Sequence, residues 1–228
     1  MKSDTGVAAV DRAFSVLSVF DEEGAAMTLA GLSSRTGLYK STILRLLDSL
    51  MAAGMVHRDA DGRYSLGPTA LRLGQIYQRS AGLERTLLPI MKDLVAQGSE
   101  SPSLHVRKDR EHRICVLRVD SDHSTLDRVR AGTLRPLDRG AAGHVLRAFG
   151  EEAEPTEVRI AGLATSLGET EADCAGVSAP VFGTSAKLFG ALSLSGPRLR
   201  FEGPPLELQQ ALVCDGAARM SRALGAPL

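Results

Sequence analysis

Residues Gly37 to Val56 read GLYKSTILRLLDSLMAAGMV. At about 100° per residue, Ile43, Leu44, Leu46, Leu47, Leu50 and Met51 share one broad arc of a helix. Ser41, Thr42, Arg45, Asp48, Ser49 and Ala52 fill the opposite arc. The apolar arc requires a core. The polar arc carries few bulky groups and one acid, and alone it would suit any solvated helix face. Its flanks decide the reading. Upstream, TLAGLSSRTG opens on a candidate N-cap at Thr28, points Leu29 and Leu32 inward and closes on Gly37, a glycine in the C′ position. The quoted helix begins near Lys40, runs to about Ala53 and stops at Gly54. Downstream, MVHRD and RYSLG flank Asp61-Gly62, a strong hairpin signal.

An earlier helix, Val10 to Phe20, places Val10, Ala13, Phe14, Leu17 and Phe20 on one face, and DEEGAAM follows it as a charged turn. The order helix, helix, turn, helix, hairpin is that of a winged helix-turn-helix. The second helix of such a pair enters the DNA major groove with its N-terminal residues toward base edges. Ser41, Thr42, Arg45 and Ser49 then face bases or phosphates, and Lys40 and the free N–H groups at the helix start suit a phosphate. Ser33 and Arg35 precede them, and Arg58 and Arg63 stand on the wing, near a backbone they could clamp. From Ser33 to Arg63, five basic residues (35, 40, 45, 58 and 63) meet three acids (48, 59 and 61).

The whole chain is neutral, with 27 Lys+Arg and 27 Asp+Glu among 228 residues, which argues against indiscriminate nucleic-acid binding but leaves room for a local basic patch. No apolar run is long enough to span a bilayer and the N-terminus lacks a signal-peptide pattern. Cys115, Cys174 and Cys214 lie far apart without a CxxC, which fits reduced thiols in the cytoplasm. The five histidines form no metal motif, and no cofactor is expected.

Beyond the wing, LGPTALRLGQIYQRS and GLERTLLPIMKDLVAQG read as two helices, the second roughly Glu84 to Gln97, where Pro89 marks either a start or a kink. From Pro102 the period changes to two. SLHVRKD, HRICVLRVD, TLDRVRA, GVSAPVFG and FGALSLSGP read as strands, with helices at Gly140 to Phe149 and Pro204 to Leu224. The chain is therefore read as α+β: a DNA-binding domain over 1–68, linker helices over 69–98, and a sheet domain covered by helices over 99–228. The apolar linker helices could pair with a second copy or bury against the chain's own domains.

Together, VDRAFSVLSVF, the KST-x-x-RLL-x-x-L core with its G-x-V-x-RD-x-DGRYSLG wing, LRPLDRGAAGHVLRA, GVSAPVFG and GALSLSGPRLRF cover most of the chain. In these segments it resembles the IclR-type family of bacterial transcriptional regulators. The resemblance implies a C-terminal GAF-like antiparallel-sheet domain that binds a small effector, often a carboxylate. It also implies operator DNA as partner and a homodimer that can assemble further, to a tetramer, on DNA. Carried onto this chain, the effector site comprises Leu126, Ala141, Ala142, Gly143, Asp173, Cys174, Ser193 and Ser195. Ser193 and Ser195 are two apart on one strand, so their hydroxyls face one side. With free N–H groups at a helix start they could hold a carboxylate without a cation; without the resemblance they read as serines satisfying backbone or solvent. Three features depart from the family pattern. Tyr39 stands where proline is usual. Gly140 and His144 replace a common Ser/Thr and Lys. The stretch FGEEAEPTEVRIAGLATS is short, which would leave the site open, shallow or closed by a partner. Two alternatives remain: a DNA-binding dimer whose second domain has lost its ligand, and an enzyme with Cys174 as nucleophile beside His105 or His144.

Overall fold

The computed structural model describes residues 6–20, 26–80, 83–150 and 156–227, which divide into two compact units, one ending at Tyr77 and the other beginning at Gln78. The first unit holds α1 (Ala8–Leu17), α2 (Leu29–Thr36), α3 (Lys40–Ala52) and an antiparallel pair, β1 (Val56–Arg58) and β2 (Tyr64–Leu66). The ends of α2 follow from their residues. Thr28 Oγ1 accepts the Gly31 N–H at 3.1 Å, and Gly37 closes the helix at φ 71°. Val16, Leu32, Ile43, Leu47, Leu50, Val56 and Tyr64 form the core.

Two expected faces differ from the observed ones. Leu44 lies at the rim of its arc and stays 41% exposed. In α1 the fully buried residue is Val16, while Val10 and Phe14 are exposed. The helix is turned so that Ala13, Val16 and Leu17 meet the core, and Val7, Val10 and Phe14 form a stripe on the outside. The charged turn expected at 21–27 falls mostly outside the described residues.

Helix α4 (Pro68–Ser80) starts on its proline, where the missing N–H costs nothing. It keeps Leu71, Leu73, Ile76 and Tyr77 exposed.

The second unit begins with α5 (Leu83–Ala96), which runs through Pro89 rather than starting there. Six strands follow: β3 (Ser101–Arg107), β4 (His112–Arg118), β5 (Leu134–Pro136), β6 (Ala164–Leu167), β7 (Cys174–Phe182) and β8 (Leu188–Pro197). Their order is β5-β4-β3-β8-β7-β6, and every pairing is antiparallel. Helices α6 (Ala141–Ala148), α7 (Glu157–Ala161) and α8 (Pro204–Ala223) complete an α+β unit. Period-two alternation gives the sheet two unlike faces. Leu104, Val177, Leu192 and Leu194 pack beneath α5 and α8 on Leu87, Met91, Leu94, Val213 and Met220. The other face is polar: Ser103 pairs with Ser193, and Ser193 with Ser178. Helix α6 covers part of this face with Ala141, Val145 and Leu146 against Ala164 and Ala191.

The stretch TLDRVRA is not a strand. Asp127 is drawn inward to pair with Arg118 at 2.7 Å and to accept the Val129 N–H, so the segment crosses as a loop. The short edge strands β5 and β6 add to the strands read from the sequence; three and four residues carry too little alternation to read. Pro136 sits on the edge strand β5, where a missing donor is harmless.

Gly67 joins the wing to α4. Its N–H donates to the Met55 carbonyl at 2.8 Å, and a Cβ there would collide with the Gly54 backbone oxygen. Gly67→Ala is expected to destabilise the N-terminal unit by about 1–3 kcal/mol through overpacking. Thermal unfolding of that unit measures it, and an unchanged midpoint would contradict this junction.

Candidate nucleic-acid interface and effector cavity

Helix α3 presents Lys40, Ser41, Arg45 and Ser49 to solvent, with Thr42 half-buried beside them. Ser41, Thr42, Arg45 and Ser49 line an open groove of about 680 Å³ whose far wall is Ala9 and Arg12 of α1. Asp48 is its one acid. Tyr39, 84% exposed, is the N-cap residue, and its side chain caps nothing. The first N–H that the Tyr39 carbonyl takes is that of Thr42. The start of the helix therefore keeps N–H groups directed at solvent beside Lys40, an arrangement suited to an anionic oxygen. Ser33 is committed elsewhere: its hydroxyl donates to the Leu38 carbonyl at 2.7 Å and holds the turn between α2 and α3. Arg35 is exposed near the end of α2. On the wing, the Arg58 guanidinium lies 5.4 Å from the centre of the Tyr64 ring. The Arg63 guanidinium donates to the Ala26 carbonyl at 3.4 Å, and its backbone N–H to Asp59 Oδ1 at 2.8 Å.

In the second unit, a cavity of about 50 Å³ opens on the polar face of the sheet between β3, β4, β7, β8 and the start of α6. That is room for roughly three or four waters. Ala141, Ala142, Cys174, Ser193 and Ser195 line it, whereas Gly143, Leu126 and Asp173 do not. Gly143, the next residue of α6, packs against Arg113 and the Leu137 carbonyl, Leu126 is the half-buried neighbour of Asp127, and Asp173 is exposed beside Cys174. Ser193 directs its hydroxyl proton to the Val177 carbonyl at 3.2 Å, which leaves its lone pairs. Ser195 Oγ accepts from Arg118 Nη1 at 3.5 Å.

The helix start is not free for a ligand in the way expected. The Gly140 N–H donates at 2.8 Å to Glu169 Oε2, which also meets His144 Nε2 at 2.7 Å. The N–H of Gly140 and the His144 ring together hold the Glu169 carboxyl below its ordinary range against the opposing effect of burial. The site does contain cations, which sequence reasoning missed. Arg113 is 4% exposed, and Arg135 pairs with Glu171 at 2.7 Å on the partly exposed side. His105 is buried, and burial, reinforced by Arg113, Arg118 and Arg135, lowers its pKa to about 3, so the ring is neutral at physiological pH. Lone arginines in strand alternation carry little signal; the readable cue was an arginine at an inward position of HRICVLR.

The surroundings of Cys174 disfavour the thiolate that a nucleophile needs. Burial and the carboxylates of Glu171, Asp127 and Asp173 push its thiol up to about 11. Its Sγ lies 3.7 Å from Glu171 Oε2. A nucleophilic cysteine needs an electropositive surrounding. Among the described residues no group of His, Cys, Asp and Glu could hold a metal, and no helix is long and apolar enough to cross a membrane. Of the short stretch 149–166, residues 151–155 lie outside the described residues, and α7 does not line the cavity.

Comparison with known proteins agrees with this architecture. Residues 9–60 match the IclR helix-turn-helix domain, and residues 152–222 match the C-terminal domain of the bacterial transcriptional regulator IclR. The chain is 31% identical to the glycerol operon regulatory protein of Streptomyces griseus, over 96% of this chain and 97% of that one. It is 27% identical to the HTH-type transcriptional regulator KipR of Bacillus subtilis, over 87% and 90%. Among solved structures, an IclR-type regulator from Silicibacter superposes with a TM-score of 0.84 at 22% identity, covering 96% of this chain and 97% of that one. An IclR homologue from Microbacterium hydrocarbonoxydans, solved in complex with 4-hydroxybenzoate, superposes with a TM-score of 0.79 at 20% identity, covering 96% and 100%. These matches are to regulators of transcription rather than to enzymes, and the chain belongs to the IclR family of DNA-binding bacterial transcriptional regulators.

Proposed function

We propose that this regulator reads operator DNA as a homodimer, with α3 in the major groove, and that its C-terminal unit senses a small carboxylate that alters operator binding. The observation that carries the DNA reading is the α3 face, where Lys40, Ser41 and Arg45 stand exposed at a helix start that nothing caps. Arg45 is placed to read a base edge, and Lys40 to meet a phosphate. Support for the dimer comes from the apolar residues left outside: Val7, Val10 and Phe14 on α1, and Leu73, Ile76 and Tyr77 on α4, each set spaced as one helix face. A dimer also matches how helix-turn-helix proteins address two half-sites. Support for sensing comes from the cavity beside α6 and from the 4-hydroxybenzoate held by the Microbacterium homologue. An effector that favours one dimer arrangement shifts the population that fits both half-sites, with a coupling of ~1–3 kcal/mol.

The small size of the cavity, about 50 Å³, favours one second reading, in which the C-terminal unit is only a dimerisation platform. A ligand that stabilises the folded protein decides between the two.

The first test is fluorescence anisotropy of the full chain on its own upstream DNA against a shuffled control, across salt. Preferential binding that weakens as salt rises supports the reading; equal binding to both fragments overturns it. Arg45→Ala is expected to cost about 1–3 kcal/mol on the operator and to relax sequence preference. Lys40→Ala is expected to weaken all DNA alike and to lower the salt slope by about one. If Arg45→Ala also weakened every sequence equally, its role as a base reader would be lost. Replacing Phe14 and Tyr77 with Glu is expected to shift the protein toward monomer in sedimentation and to weaken operator binding, while a persistent dimer would exclude these faces from the contact.

A further inference from the structure

We infer that Arg113 and His105 are the anion-recognition pair of the cavity beside α6, and that its ligand is a compact monocarboxylate of roughly two to four carbons. This rests on the sensing role proposed above and adds the charge and size of what is sensed.

A buried charge is normally paired, because desolvation costs several kcal/mol per ion. Arg113 breaks that expectation. It is 4% exposed, and its Nη1 donates to two neutral oxygens, the carbonyls of Pro136 and Arg139. Among the described residues its Nε has no partner. The carboxylates near it are held by other groups, Asp138 by Arg139 at 3.0 Å. Asp127 pairs with Arg118 at 2.7 Å, Glu171 pairs with Arg135 at 2.7 Å, and Glu169 takes the Gly140 N–H and His144. Two glycines lie against this guanidinium: a Cβ on Gly143 would come within 2.7 Å of Arg113 Nη1 and 2.6 Å of the Leu137 carbonyl, and one on Gly140, whose φ is 78°, within 3.0 Å of Nη2. So the seat of the unpaired cation is built, with backbone glycines on one side and the cavity on the other.

His105 supplies the second unmet group. It is 3% exposed and lines the same cavity, and its Nδ1 has no partner among the described residues. Its Nε2 lies 3.0 Å from Ser103 Oγ. When Ser103 donates to Nε2, the ring carries its proton on Nδ1 and presents a neutral N–H donor. Arg113 Nε–H and His105 Nδ1–H then offer two donors to a carboxylate. The ring is neutral, and Asp127 and Glu171 each lie against another arginine, so Arg113 is the lining cation that no carboxylate meets directly. One carboxylate neutralises it, and a second would be buried without a partner. The volume of about 50 Å³ suits a short chain behind the carboxylate better than a benzene ring.

The test is thermal unfolding of the full chain with propionate, lactate and butyrate, with the neutral isostere propionamide, with succinate, and with 4-hydroxybenzoate. The expected result is a saturable rise in midpoint with a short monocarboxylate and none with propionamide. Arg113→Gln is expected to abolish the response to the acid and to admit the amide, a reversal that a merely structural arginine would not produce. His105→Gln is expected to raise the Kd for the acid at least tenfold with net charge unchanged. Equal responses to acid and amide, or an acid response that survives Arg113→Gln, would overturn the inference. Stabilisation by succinate or 4-hydroxybenzoate alone would overturn it too, while leaving the sensing role intact. Silence from every one of these compounds would overturn it and, with operator binding equally indifferent to them, would favour the platform reading. Should Arg113→Gln fail to fold, the contrast between acid and amide on the wild-type chain and the His105→Gln titration still decide.

Discussion

The C-terminal unit depends on one sheet having to satisfy two incompatible surroundings at once. On β3 and β8, leucines at 104, 192 and 194 alternate with Ser103, His105, Ser193 and Ser195. The leucine side is closed by α5 and α8, and each buried leucine there contributes about 1.5–3 kcal/mol of transfer free energy. With that side anchored, the polar side has no freedom to slip, since a shift of one residue would exchange the two faces. The position of every group in the cavity therefore follows from burial on the far side of the sheet. The floor of the cavity is therefore rigid, and adaptable parts are confined to its rim, where Arg135 and Glu171 are partly exposed.

Charge on the polar side is handled in two ways. Arg118 and Asp127 are both 5% exposed and lie 2.7 Å apart, a closed pair that also pins the loop from 125 to 131. Removing one member would strand the other, so the pair is costly to break even if its net contribution to stability is small. Arg113 has no such closure. Burial and the neighbouring Arg135 bring its pKa down to about 10, which still leaves it charged at neutral pH. Two carbonyl oxygens reduce its desolvation cost without neutralising it. The same low dielectric that makes an uncompensated cation expensive makes an incoming anion bind strongly.

Much of the N-terminal unit was legible because its signals are local. Thr28 as N-cap, Gly37 as αL terminator and Asp61-Gly62 as a turn each act within a few residues, and each is found where its chemistry places it. The face of α1 was not legible, because Val10, Phe14, Val16 and Leu17 offer more than one apolar arc and only packing on α3 selects among them. The loop at TLDRVRA reads as a strand for a similar reason: its alternation is real, but a buried ion pair to a residue 9 positions away overrides it. The cavity was half legible. Ser193 and Ser195 share a face as period two requires, yet the cation between them and α6 comes from a strand two positions across the sheet. The carboxylate at the helix start belongs to Glu169, brought in from the turn after β6. No local pattern announces either.

A cavity this small limits what the proposed ligand could contribute. The best small ligands gain at most about 1.5 kcal/mol per non-hydrogen atom. A ligand of roughly six such atoms is therefore limited to about 9 kcal/mol, a Kd near the micromolar range. Apolar burial cannot supply that from so few carbons, so in the proposed complex the charge of Arg113 would carry most of it. Coupling to the DNA is constrained in turn. A carboxylate on Arg113 would act on Gly140, Gly143 and the Pro136 and Arg139 carbonyls that hold the guanidinium, all between the end of β5 and the first turn of α6. In the proposed complex the free energy of binding would be delivered at the junction of β5 and α6 rather than spread over the pocket walls. A coupling of ~1–3 kcal/mol to operator affinity needs only a fraction of it to differ between two arrangements of that junction.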